Sequence, residues 1–214
     1  HGWWLMGESK MSKSLGNVIN PMDLIDDYGV DPVRYYLMRE MVLGQDSSFT
    51  IESFIQRYNS DLANDFGNLL SRVSTLMKKN FDGKIPEPGN FTEAEAVIIS
   101  NGESLGEVVK EKIEAMRLNE AIEEIMQYIR SVNKYMENNA PWKLVKYDKD
   151  AAGRVLYTAG EALRIGAILL SSVMPNRTAI LLDALNAKDT GLSWGGLTAG
   201  NELKNHEPLF PRMN

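Results

Sequence analysis

Lys10 and Lys13 stand three residues apart in the stretch MGESKMSKSLGN (6–17), among Ser9, Ser12 and Ser14 and between Gly7 and Gly16. Two ammonium groups on a polar, glycine-bounded loop suit triphosphate chemistry. The negative charge there is spread over several oxygens that move as a reaction proceeds, and a mobile loop can deliver a cation to them in the transition state. Serine hydroxyls and loop amides add hydrogen bonds to the same oxygens. The spacing is not that of a P-loop, G-x-x-x-x-G-K-[ST]. A solvated loop with two ordinary surface lysines satisfies the same composition.

Two further groupings could do chemistry of a different kind. In DFGNLLSR (65–72), Asn68 and Arg72 are four apart and share one helix face, with Thr75 and Lys79 continuing the ridge. An amide and a guanidinium fork side by side can read a base edge and hold a phosphate. In NKYMENNAPWKL (133–144), Pro141 breaks a helix and Trp142 follows it, with Lys143 and Lys146 nearby. A tryptophan at a helix end is a stacking platform for an unstacked base. The alternatives are a solvated helix face for the first pair and a packed helix-end plug for the second.

The elements that must position these groups are mostly helical. His1–Met6 reads as a short aromatic strand leading into the lysine loop. Asn20 with Pro21 and Asp31 with Pro32 each signal the start of a short helix, with Asp31 as cap of the second. A hinge is expected near 44–48. Over 50–81 the positions Leu62, Phe66, Leu69, Val73 and Leu76 form one apolar stripe, and Leu118, Ile122, Ile125, Ile129, Val132 and Met136 form another. A further long helix is predicted over 149–173, with Gly160 and Gly166 permitting close approach of a neighbour, and a shorter one from Pro175. The glycine-rich residues 188–214 read as a tail that wraps the surface. The expected fold is mainly α: a bundle of about five helices preceded by a strand, a loop and short helices. The division is 1–48, 49–187 and 188–214.

Composition narrows the function. With 214 residues, 43% hydrophobic, the chain can bury a real core. It contains no cysteine and two histidines, His1 and His206, so no metal site is expected. No apolar run approaches the roughly 20 residues needed to cross a bilayer, and a cytoplasmic location without membrane contact is expected. The net charge of −6 argues against binding nucleic acid through a broad basic face. The chain starts at His1, within an apolar phrase, and so is expected to be part of a longer protein.

The full word Lys10-Met11-Ser12-Lys13-Ser14, followed by Leu15-Gly16-Asn17 and Asn20-Pro21, resembles the signature loop of the class I aminoacyl-tRNA synthetases. The order of KMSKS, then Asn-Leu-x-Ser-Arg, then Ala-Pro-Trp is similar to the methionyl-tRNA synthetase family, over essentially the whole chain. The resemblance implies a remnant of the class I catalytic domain at 1–48, a helical anticodon-binding domain at 49–187 and a C-terminal tail. It implies a methionine-tRNA ligase that uses ATP with Mg2+ to form methionyl-adenylate and transfers methionine to tRNA(Met). Lys13 would contact the ATP phosphates as pyrophosphate leaves, Lys10 would assist, and Met11, Ser12 and Ser14 would line the nucleotide. Asn68, Arg72 and Trp142 would contact the CAU anticodon. Leu70 stands where other members often have a smaller residue.

The His-Ile-Gly-His type motif, the methionine pocket and the inserted zinc-bearing domain of that family are absent. The 214 residues are therefore expected to be inactive alone, with no bound cofactor, a disordered or displaced lysine loop, a missing N-terminal catalytic domain as natural partner, and a monomeric state. Two rival readings stay open. One is another class I synthetase, for isoleucine, valine, leucine or cysteine; the other is a non-catalytic helical tRNA-binding or interaction module.

Overall fold

A computed structural model describes residues 2–7, 9–12, 14 and 16–213. Lys13, the lysine expected to contact triphosphate, lies outside the described residues. The chain is mainly α, as expected. Its β part is a three-stranded sheet in the order β2-β1-β3: β1 is Trp4–Met6, β2 Ser9–Lys10 and β3 Ser47–Phe49. β1 pairs antiparallel with β2 (Leu5 opposite Lys10) and parallel with β3 (Trp4 opposite Ser47). β3 lies within and beyond the segment expected to be a hinge. The parallel pairing needs a crossover, which α1 (Pro21–Tyr28) and α2 (Val30–Glu40) supply.

Local chemistry explains both helices. Asn20 Oδ1 accepts the Met22 N–H at 3.1 Å with Pro21 in the first turn, and Gly29, at φ +85°, separates α1 from α2. The cap predicted for α2 is a correction. Asp31 sits inside α2 and turns its carboxylate to the start of another helix, α9 (Pro175–Ala184), accepting from Arg177 N at 2.6 Å and Asn176 Nδ2 at 3.2 Å. It is 2% exposed, so this cap is also a buried tether between α2 and α9. Arg34 adds a second tether, donating to the carbonyls of Val173 and Ser172. Leu24, Val33, Tyr36, Phe49 and Phe54 form a small core between these helices and the sheet.

Residues 51–80 form one continuous rod. α3 (Ile51–Arg57) starts at a capping box between Thr50 and Ser53, passes into a π-helical segment (Tyr58–Gly67), and continues as α4 (Asn68–Asn80). The π turns bury Leu62 and Phe66, as the stripe predicted, together with Ala63 and Gly67, which the stripe does not include. Leu69 and Val73 are buried as the stripe predicted, whereas Leu76 is only partly buried and Leu70 and Met77 complete the face.

The bundle is completed by α5 (Glu93–Glu114), α6 (Leu118–Asn139), α7 (Pro141–Leu144) and α8 (Lys149–Leu170). α8 is buried nearly all round, as a central helix must be. It ends three residues before the predicted Val173. Gly166 permits its approach to α6: a Cβ there would stand 2.9 Å from Ile129 Cδ1. α8 also carries Glu161 and Arg164, a wholly buried ion pair with Nη2 to Oε1 at 2.6 Å. Such charges need every lone pair and proton satisfied. The tail does this: Glu161 accepts the N–H groups of Gly195, Gly196 and Leu197, and Arg164 donates to the carbonyls of Asp189, Gly191 and Ser193. Further on, Leu209 and Phe210 are buried against the rod, and Met213 and Asn59 exchange two hydrogen bonds of 2.9 Å. Among the described residues no helix is long and apolar enough to cross a membrane.

Candidate nucleic-acid interface

α4 puts Asn68 in its first turn and Arg72 one turn later. Asn68 is exposed and its amide has no hydrogen-bond partner, so both its donor and its acceptor are open. Arg72 is half-buried. Its Nη1 lies 3.7 Å from Glu137 Oε1 on α6, a solvent-exposed pair that contributes little.

Trp142 is positioned by a break in the chain. α6 ends at Ala140, which is in the left-handed region at φ +43°, and its N–H bonds to Met136 O at 2.9 Å. The Pro141 ring is buried and opens α7, whose short turn displays Trp142 36% exposed. The Arg72 guanidinium carbon lies 5.0 Å from the Trp142 ring centroid, within cation–π range. The structure thus joins two residues 70 positions apart that the sequence could link only by resemblance, and places Asn68 one helical turn from them. With 36% of its surface exposed, Trp142 leaves part of the indole available to a ligand. Lys143, Lys146 and Tyr147 are exposed beside it.

The arrangement suits an unpaired base. A stacking indole, a planar guanidinium and an amide with both functions free can hold a base by its face and read its edge. Asn68 also lines a cleft of about 440 Å³ shared with Asn64, Ser71 and His206.

The lysine loop is built separately. Lys10 lies on β2 with its Nζ 3.8 Å from the centroid of the Trp3 ring. Asn17 folds the loop back, its Oδ1 accepting Ser12 N–H at 2.7 Å and its Nδ2 donating to Lys10 O at 3.3 Å. The Ser12 and Ser14 hydroxyls are 2.7 Å apart, and Met11 tucks into a small apolar cleft with Trp4, Ile19 and Leu24. The described part of the loop is therefore tied down rather than free. Among the described residues, Lys10, Met11, Ser12 and Ser14 make no hydrogen bond, ion pair or ring contact with Asn68, Arg72 or Trp142. Sequence reasoning missed Trp3, Asn17 and Glu137 as neighbours of these groups. All three lie inside or beside the quoted motifs, which was the available signal.

A helical bundle with an exposed tryptophan, following a small sheet that carries a lysine loop, is the arrangement the chain shares with the class I tRNA synthetases whose family descriptions it matches. Residues 1–74 match the family described as tRNA synthetases class I (M), and residues 85–212 match the anticodon binding domain of methionyl tRNA ligase. The chain belongs to the methionyl-tRNA ligase anticodon-binding domain family. Over its whole length it is 40% identical to the methionine-tRNA ligases of Caldanaerobacter subterraneus subsp. tengcongensis and of Bacillus subtilis, covering 35% and 33% of them. It thus spans about a third of the length of these curated relatives. It is also similar to the structure of Mycobacterium tuberculosis methionyl-tRNA synthetase in complex with methionyl-adenylate, with a TM-score of 0.91 at 36% identity, over 98% of this chain and 43% of that one.

Proposed function

We propose that these residues are the anticodon-reading and phosphate-loop portion of a methionine-tRNA ligase. The observation that carries the reading is the Arg72–Trp142 contact with Asn68 one turn away: three groups suited to unpaired bases converge, Trp142 from the segment matched to the anticodon-binding domain and Asn68 and Arg72 from the segment matched to the class I synthetase family. Asn68, Arg72 and Trp142 hold the CAU anticodon of tRNA(Met), Trp142 by stacking and the other two by hydrogen bonds. The acidic net charge is compatible with this, because reading three unpaired bases depends on directed contacts rather than a broad basic field.

In the whole enzyme Lys13 would meet the ATP phosphates, with Lys10, Met11, Ser12 and Ser14 around the nucleotide, and Mg2+ would supply counter-charge to the triphosphate. Lys13 lies outside the described residues, and its role rests on the match of 10–14 to the family loop. The remainder of the catalytic domain is the natural partner, and the division 1–48, 49–187 and 188–214 follows the change from loop to bundle to tail. The reading carries with it a monomeric, cytoplasmic enzyme. The 214 residues alone form no methionyl-adenylate; methionine-dependent pyrophosphate exchange by the purified chain would refute that. The anticodon role is tested by titrating the chain with a stem-loop bearing CAU and with single-base variants of it. Equal affinity for all of them sinks the reading.

A further inference from the structure

Residues 81–90 and the start of α8 enclose a cleft of about 630 Å³, separate from Asn68, Arg72 and Trp142. Its floor is apolar and depends on a glycine. Phe81 and Pro86 close onto Gly153, where a Cβ would stand 3.1 Å from Pro86 Cβ and 3.3 Å from the Phe81 ring. Donors without hydrogen-bond partners line it. Arg154 Nε lies 3.4 Å from the buried Glu95 carboxylate, in an ion pair without hydrogen-bond geometry, and its two Nη groups are unpartnered. Lys149 rests its Nζ 5.2 Å from the centroid of the Phe81 ring, and the Asn90 amide makes no hydrogen bond.

The charges select a ligand. Glu87 and Asp150 line the same cleft and have no ion-pair partner, and Arg154 also lies against Glu95, so Lys149 and Arg154 stand among three carboxylates. That balance disfavours a di- or triphosphate. It suits a molecule with one phosphate, N–H or O–H donors for the carboxylates, and a flat apolar face for Phe81 and Pro86. One nucleotide of single-stranded RNA has all three features.

Position fits as well. Phe81 lies nine residues beyond Arg72, roughly 13 Å along α4 at 1.5 Å per residue, and Lys149 follows Trp142 by seven residues. We propose that this cleft holds one unpaired nucleotide of the bound RNA next to the anticodon bases. Its base lies on Phe81 and Pro86, its phosphate is held by Arg154 and Lys149, and its polar edge or 2′-hydroxyl meets Asn90, Glu87 and Asp150. The inference rests on the reading of this chain as a tRNA binder.

The test uses Lys149→Ala and Asn90→Asp, both at exposed positions that the fold tolerates, with Trp142→Ala as control and an anticodon stem-loop as probe in fluorescence anisotropy. Each cleft variant is expected to weaken binding roughly three- to tenfold. Lys149→Ala should also flatten the slope of log K against log salt by about 0.7, the loss of one single-strand phosphate contact. Unchanged affinity and slope in both variants, with Trp142→Ala weakened, overturns the cleft assignment and leaves the anticodon reading standing. Absence of stem-loop binding by the unaltered chain overturns the anticodon reading itself. Shifts of the Asn90 and Lys149 amide resonances on adding uridine 5′-monophosphate, with stem-loop affinity unchanged in both variants, assign the cleft to a free nucleotide and overturn the RNA proposal.

Discussion

Arg72 holds its guanidinium 5.0 Å from the centroid of the Trp142 ring, so one face of the indole is already occupied by a cation when no RNA is bound. The pair is preorganised. A planar cation on one face restrains the ring, and ordering it on binding costs correspondingly less.

Trp142→Ala should weaken binding of a CAU stem-loop by about 1–3 kcal/mol, the range of base–aromatic stacking. Because Trp142 is 36% exposed, thermal stability should change little. Anisotropy and a melting curve on the same sample separate the two effects. A large stability loss with proportionate loss of binding would mark Trp142 as a packing residue.

Asn68→Ala should act differently. Its amide has no structural duty, so the variant folds normally and loses discrimination rather than general grip. The affinity ratio between CAU and a first-base variant is expected to shrink by about 1–3 kcal/mol, typical of a lost bidentate contact. A uniform loss across all stem-loops would argue against base reading.

Lys13→Ala, placed in a full-length relative of this chain, should lower the adenylation rate at least tenfold with little change in methionine affinity. An interaction that forms only with the transition state changes rate and not ground-state binding. Stopped-flow adenylation against a methionine titration gives both quantities. An unaffected rate would favour the non-catalytic module.

Glu95 makes stability depend on pH. Burial pushes its carboxyl up, but bonds from the Thr92 hydroxyl, the Tyr135 hydroxyl and the Thr92 amide, with Arg154 beside it, outweigh burial and hold it below the ordinary carboxylate value. A lowered native pKa contributes stability that is complete above the unfolded value of about 4.3 and is lost as pH falls through the native one. Glu95→Gln should therefore cost about 2 kcal/mol at pH 7, the range for hydrogen bonds to a charged group. The gap to the unaltered chain should narrow below pH 4. Denaturant unfolding at pH 7 and pH 3.5 checks the sign, and a gap that widens in acid contradicts it.

How much of this was legible in the sequence depended on whether a signal was local. The stripe of α6, the cap at Asn20 and the first-turn proline Pro175 arise within one or two turns, and their helices stand where these signals put them. The helix over Glu93–Glu114 was not singled out, although Thr92 and Glu95 form a capping box. Gly102 and Gly106 lower its intrinsic propensity, and packing reverses that: a Cβ at Gly102 would fall 2.5 Å from the Tyr128 hydroxyl. The π hydrogen bonding escaped because Leu62 and Phe66 fit a 3.6-residue stripe equally well. Asp31 was given to the wrong helix because a cap can come from a residue 145 positions away. For the site, residue types identified Asn68, Arg72 and Trp142 as able to bind bases, but only the fold puts α4 against α7. Glu161 and Arg164 lie in a run of buried residues, and their partners are backbone groups of a tail whose composition signals only turns.

That buried pair sets an order of events during synthesis. The carbonyls and amides that satisfy Glu161 and Arg164 lie 25 to 36 residues downstream. Until Leu197 has left the ribosome, α8 carries two charges with only each other, and its central place in the bundle is unfavourable. The helix that the other helices pack around is thus the one that cannot settle early. A chain cut short before residue 189 would lose its core along with its tail, which makes C-terminal integrity a condition for the Arg72–Trp142 contact to form.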